Sequence, residues 1–246
     1  MKKKIIAVPL LCLLFFTQCR KEDITASNNL NNRSVGASAK EFLNSTSYQT
    51  LNIEIVYMPG FAPDANALNN LQNFLNTLIN KPAGINITQR AIPASGKTVL
   101  TLAEVRDLEK SYRTSFTSGT SLGVFILYTD CGYSEANTLG VAHKNTSIAV
   151  FGKTIHDNSG SVNQASLTKL ETLTLEHEYG HLLGLVDLGS PMQVNHKDPA
   201  SNHCNNNTCL MYYETQITQM GGILISGPVP SLDANCKNDL RANGGK

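Results

Sequence analysis

His177, Glu178 and His181 lie in the stretch LEHEYGHLLGLVD, residues 175–187, and their types and spacing suit metal-assisted hydrolysis. Histidines four apart on a helix point the same way, one turn above the other. Two such imidazoles can bind one Zn²⁺ at about 2.0–2.1 Å each. Glu178 projects beside them, where it can hydrogen-bond a water on the metal without being a ligand. In such an HExxH arrangement zinc acidifies the water and polarises a scissile carbonyl. Glu178 takes the proton and later delivers it to the leaving amine. The competing reading makes these residues polar spots on a packed helix. Leu173, Leu175, Leu182 and Leu183 supply that packing in either case, and Gly184 marks where the helix can stop and the chain turn.

Two imidazoles leave a tetrahedral zinc site incomplete. A Glu on a later helix is one solution, but Glu214 is the only glutamate after Glu178 and falls in a non-helical stretch. A ligand just beyond the glycine turn is the other, and HEYGHLLGLVD has Asp187 there, in an HExxHxxGxxD pattern. Here the sequence resembles the metzincin clan of metallopeptidases. CLMYY resembles the Met-turn of that clan, with Met211 as its methionine. Tyr213, two residues on, stands where some metzincins carry a tyrosine that binds zinc or stabilises the tetrahedral intermediate. LGVAHKNTSIAVF resembles the edge strand and its neighbour that bind an extended substrate, a recognition mode built on main-chain hydrogen bonds.

HCNNNTCLM, residues 203–211, resembles the H-C-x4-C-x-M segment of archaemetzincins, whose histidine is the third zinc ligand. In those proteins it follows the helix turn directly, whereas here about sixteen residues, VDLGSPMQVNHKDPAS, intervene. The expected third ligand is therefore His203, with Asp187 and then His196 as alternatives. An imidazole suits Zn²⁺ well, while a carboxylate adds negative charge and weakens its Lewis acidity. The resemblance extends over about residues 50–240 and is most specific at 177–184. It implies a zincin-like α/β (α+β) fold, Zn²⁺ as cofactor, and endopeptidase action on an extended protein or peptide. The alternative is a catalytically silent surface protein that keeps the fold to hold peptides or glycoproteins. A zinc amidase acting on cell-wall peptides shares the same chemistry.

The elements that must position these residues are legible from periodicity. Leu51, Ile53 and Ile55 alternate as in a strand, and INITQRAI reads as a second one. SLGVFILYTD is apolar enough to lie centrally in a sheet. TLGVAH and SIAVFG are two short strands around a polar turn. Helical spacing runs through Leu68, Leu71, Phe74, Leu75 and Leu78 after a cap at Asp64. Thr101 and Glu104 form a capping box for a helix through Tyr112. The long reactive helix spans about 165–183, and a last helix is expected after a Ser231 cap. Strands alternating with helices predict a mixed, mostly parallel twisted sheet. The expected units are a catalytic subdomain at 48–184 and a small irregular subdomain at 185–246, with the reactive helix at their junction. His143 and His156 are expected in exposed loops, and Tyr179 in helix packing.

MKKK followed by IIAVPLLCLLFF reads as a leader over residues 1–18, too short to span a bilayer comfortably. Cys19 and the Arg20-Lys21-Glu22-Asp23 tag resemble those of Bacteroidetes surface lipoproteins. That implies lipidation at Cys19, an outer-membrane location, and anchorage by lipid alone. Residues 19–47, rich in Asn, Ser and Ala, read as a flexible tether. Cys131, Cys204, Cys209 and Cys236 then suggest two disulfides in an oxidising compartment, Cys204–Cys209 and Cys131–Cys236. With 20 Lys and Arg against 19 Asp and Glu, the charge gives no reason to expect nucleic acid. A monomer is expected.

Overall fold

A computed structural model of the chain describes residues 30–212 and 227–246. Four strands pair in parallel: β1 (Thr50–Tyr57), β2 (Ile85–Ala91), β4 (Ser121–Tyr128) and β7 (Ser147–Val150). β6 (Gly140–Lys144) closes one edge antiparallel to β7, giving the order β2-β1-β4-β7-β6. β3 (Val99–Leu100) and β5 (Gly132–Tyr133) form a separate two-stranded piece. The expected mixed, mostly parallel sheet is found, and SLGVFILY, buried along nearly its whole length, runs through the middle. The β6–β7 hairpin leaves β6 with one open side.

Strand alternation sorts the sheet residues onto two faces. Ile53, Ile55, Val124, Ile126, Ile148 and Val150 join one buried cluster with leucines of α2 (Ala65–Leu78) and α5 (Leu167–Leu182). Val56, Phe125, Leu127, Ala149 and Phe151 face the other way, with Val105 of α3 (Leu102–Tyr112). Asp64 caps α2, and Thr101 with Glu104 makes the capping box of α3, as their spacing predicts. A short α4 (Gly152–Asp157) follows β7. The final helix, α6 (Ala234–Ala242), is capped by Asp233 rather than Ser231; its carboxylate accepts from Cys236 N. Leu210, Met211, Cys236 and Leu240 belong to the same cluster as the α5 leucines, so the segments on both sides of Gly184 share one core. Among the described residues, no helix is long and apolar enough to cross a membrane.

The expected tether is corrected from Asn31 onward. Helix α1 (Ala39–Leu43) inserts Phe42 and Leu43 fully into the core. Asn31, one of the asparagines that made this stretch look solvated, is a buried hydrogen-bond hub. Asn31 Nδ2 donates to Thr117 Oγ1, Gly123 O and Thr146 Oγ1, and Asn145 Nδ2 donates to Leu30 O and Ser38 Oγ. Gly36 (φ +77°) meets the turn after α5 so closely that a Cβ there would lie 2.2 Å from Leu188 O.

Glu171 on α5 ties the two helices of that face together, accepting from Asp64 N at 2.8 Å and from Tyr128 Oη at 3.4 Å. Burial raises its pKa to about 7. Between its unfolded value near 4.5 and about 7, the folded state holds the extra proton, so Glu171's contribution is complete below 4.5 and lost as pH rises to 7. Glu171→Gln removes that loss. Chemical denaturation at pH 5 and 8 will show the variant's stability, relative to wild type, rising by on the order of 2 kcal/mol at the higher pH. Parallel curves for the two proteins would contradict the assignment.

A candidate metal centre on the reactive helix

Helix α5 begins at Ser166, whose side chain accepts from Lys169 N, and carries His177, Glu178 and His181 in its last turns. Its φ signs change at the end: Gly184 has φ +79°, and Val186 and Asp187 also adopt positive φ. A Cβ on Gly184 would lie 2.5 Å from Ser190 N and 2.6 Å from the Ala39 methyl, so both its conformation and its surroundings require glycine. Beneath the helix, Met211 approaches so closely that a Cβ on Gly180 would lie 2.2 Å from its Sδ. Gly180, inside HEYGH, is thus a position where packing requires glycine, which its sequence context did not single out. Gly180→Ala will force Met211 or the helix to shift. A loss of about 1–3 kcal/mol in thermal or chemical denaturation is expected, and unchanged stability would show that Met211 moves freely.

His177, His181 and His203 bring ring nitrogens within 4.8 Å of one another. Their ring centroids are 4.8, 5.2 and 5.0 Å apart for the pairs 177–181, 177–203 and 181–203. His177 Nδ1 lies 2.9 Å from Leu210 O, to which it donates, leaving Nε2 with a lone pair. That Nε2 stands 3.2 Å from His181 Nε2. Burial lowers all three imidazoles, His177 to about 3, so they are held neutral, the form that binds metal. Neutral nitrogens converging on one point fit a shared cation of zinc type: three protein ligands with a fourth position open.

Asp187, at the expected spacing, is not part of this group. Its side chain is 59% exposed and pairs with Lys197 Nζ at 3.3 Å. The left-handed turn after Gly184 carries it away from the helix axis. The insertion that separates His203 from the helix in sequence is looped out, and His203 O accepts from Asp198 N as the chain returns. His196 sits elsewhere, 2.7 Å from Asp239 Oδ2 by its Nε2. Tyr213 and Cys19 lie outside the described residues.

Glu178 faces the cleft from the same helix. Its Oε2 accepts from Ala142 N at 2.6 Å, on the open side of β6. Gly140 makes room: a Cβ there would meet Thr174 Cγ2 at 2.6 Å and Glu178 Cγ at 3.1 Å. Burial pushes the Glu178 pKa up to about 7, against the lowering effect of the Ala142 amide. A cleft of about 510 Å³, lined by Tyr133, Gly140–Ala142, His177, Glu178, His181 and His203, opens over these groups.

Two expectations about other residues are corrected. His143 is a buried residue of β6, and His156 of α4 packs on Phe61 with ring centroids 4.9 Å apart. Tyr179 packs edge-on to Phe42, as helix packing would have it. The expected disulfides are not formed: Cys131, Cys204, Cys209 and Cys236 are free thiols. Cys131 belongs to the α3-side cluster, whereas Cys236 lies on α6 with Sγ 3.7 Å from Cys209 Sγ. Donor atoms of His196, Cys204, Asp233 and Cys236 fall within 4.8 Å of one another, a sulfur, nitrogen and oxygen set able to hold a second, closed metal ion. The spacing Asp233-x-x-Cys236 on the first turn of α6 was its signal, hidden because no Cys-x-x-Cys pair exists.

No protein-family model matches the chain, and no curated protein matches it by sequence. Among solved structures, metalloproteinase-II from Bacteroides fragilis aligns with 15% identity and a TM-score of 0.44, over 89% of this chain and 60% of that one. An archaemetzincin from Methanopyrus kandleri aligns with 12% identity and a TM-score of 0.52, over 80% of this chain and 96% of that one. The chain therefore has the mixed α/β fold of an archaemetzincin.

Proposed function

We propose that the chain is a zinc-dependent endopeptidase that cleaves extended segments of proteins or peptides outside the cell. The observation carrying this reading is the convergence of three neutral imidazoles with a buried carboxylate fixed against an open strand edge. A structural metal site has no use for a base so placed. Zinc held by His177, His181 and His203 would supply Lewis acidity to water and to the scissile carbonyl.

The other steps belong to the chain's own residues. The open side of β6 offers main-chain groups to an extended substrate, which adds to the sheet as a further strand. Glu178 lies beside that track, so its carboxylate is in reach of both the attacking water and the departing amine. It removes the water's proton and returns it to the amine as the C–N bond breaks. Tyr213, two residues after Met211, is proposed as a hydrogen-bond donor to the developing oxyanion. By its leader and Cys19, the protein is proposed to sit on the outer membrane by a lipid anchor.

The test is metal removal and return. Chelation should abolish cleavage of unfolded casein, and stoichiometric zinc should restore it. A fully zinc-loaded chain that cleaves neither casein nor a random peptide mixture would overturn the reading in favour of a silent binding protein.

A further inference from the structure

A second cavity, about 670 Å³, lies at the far end of β6 and has no part in the chemistry above. It abuts the cleft: Val35 and Ala142 line the cleft, while their chain neighbours Ser34 and His143 line the second cavity. Five of its lining side chains are cationic and two are acidic. Glu109 is already consumed, with Oε1 accepting from Arg113 Nη1 at 2.8 Å and Ser147 Oγ at 2.6 Å, and Oε2 2.9 Å from Lys144 Nζ. Arg33 is paired with Glu41. Arg106 Nη2 reaches only the His143 carbonyl, at 3.4 Å, and among the described residues neither Arg106 nor Lys110 pairs with a carboxylate.

His143 supplies the second observation. Its residue is 6% exposed, yet neither ring nitrogen has a hydrogen-bond partner among the described residues. Its nearest acid, Glu109 Oε2, is 3.8 Å from Nδ1, beyond hydrogen-bond reach. A buried polar group without a partner is destabilising, and such groups call for an explanation. An anionic oxygen entering the cavity would pair with the two unpaired cations and change the field at the His143 ring, which is sealed from the surface just behind them.

We propose that this cavity is a specificity subsite that takes the carboxylate of an acidic residue in a chain lying along β6. The inference rests on the peptidase reading for the chain that delivers the carboxylate, and on the cavity itself for the binding. Rising about 3.4 Å per residue, an extended substrate at Ala142 presents its second or third residue toward Lys144. The preferred substrate is therefore acidic two or three residues from the cleaved bond, on the side running toward that lysine.

The experiment has a binding arm and a cleavage arm. In the first, the full chain is titrated with N-acetylglutamate and, separately, N-acetylglutamine while the His143 imidazole resonances are followed by NMR. The acid should shift them and the amide should not; equal shifts, or none, would overturn the subsite whether or not the protein cleaves peptides. In the second, peptides carrying Glu or Gln at those positions are compared by kcat/KM. Wild type should favour Glu about tenfold, as a charge-assisted contact allows, with the difference in KM. Arg106→Gln with Lys110→Gln should bring the ratio toward one. A preference that survives both substitutions would place acid recognition elsewhere. Cleavage of neither peptide alongside an acid-specific His143 shift would sink the peptidase reading and leave the anion site standing.

Discussion

Glu178→Gln is expected to lower peptide hydrolysis by about 10²–10⁴-fold, the usual contribution of a positioned acid–base group, while the bound metal stays stoichiometric. The substitution keeps the side chain's shape and its acceptor oxygen, so Ala142 N still has a partner for its 2.6 Å hydrogen bond. It takes away the basic oxygen lone pairs that accept the proton of the attacking water. Glu178 is not among the three residues whose ring nitrogens converge, so metal affinity should be unaffected. The loss should appear in kcat, because an extended substrate still binds along β6. Steady-state kinetics with a quenched fluorescent peptide, paired with elemental analysis, measures both quantities. Activity within tenfold of wild type would remove Glu178 from the mechanism.

The second large effect separates two residues that the sequence alone leaves in competition. His203→Ala should weaken zinc binding by roughly 100-fold or more, at least the cost of losing a partner that merely orients a ligand. Asp187→Ala should leave affinity nearly unchanged, because that carboxylate is exposed and engaged with Lys197. Competition against a chromophoric chelator reads both on one scale. Comparable losses in the two variants would mean that the turn after Gly184 rearranges to bring Asp187 inward. Equal and negligible losses would mean that His203 is not a ligand. Since His203 O also closes a backbone hydrogen bond with Asp198 N, which the substitution preserves, a folding defect is not the expected cause.

The parts of this molecule that were legible beforehand are those with local physical signals. The capping box at Thr101, the Asp64 cap, the apolar run of SLGVFILY and the four-residue spacing of His177 and His181 each need only a few neighbouring residues to be read. The central place of β4 followed from the same patterns, whereas the order of the other strands did not. What escaped depends on contacts distant in sequence. His143 looks like a loop residue until the bulge between Ala142 and Lys144 turns it inward. Gly180 looks like one more helix position until Met211 arrives beneath it. The cysteines count to an even number, but Cys131 and Cys236 belong to opposite faces of the sheet. Asp187 has the right spacing and the wrong backbone: a positive φ sends it to the surface.

The braced stretch from Asn31 to Leu43 bears on how the polypeptide can be shortened. Read by composition, the folded body would start near β1, and trimming to that point would look harmless. Yet Gly36 and Gly189 touch backbone to backbone, a Cβ on Gly189 lying 2.2 Å from Gly36 O, and Val35 forms part of the cleft wall. Cutting ahead of β1 would therefore uncover the Leu188–Ser190 turn, strip Asn145 and Thr117 of their amide partners, and open one side of the cleft. A protease that nicked this segment would remove the brace on the turn after α5 and one wall of the cleft without touching any histidine.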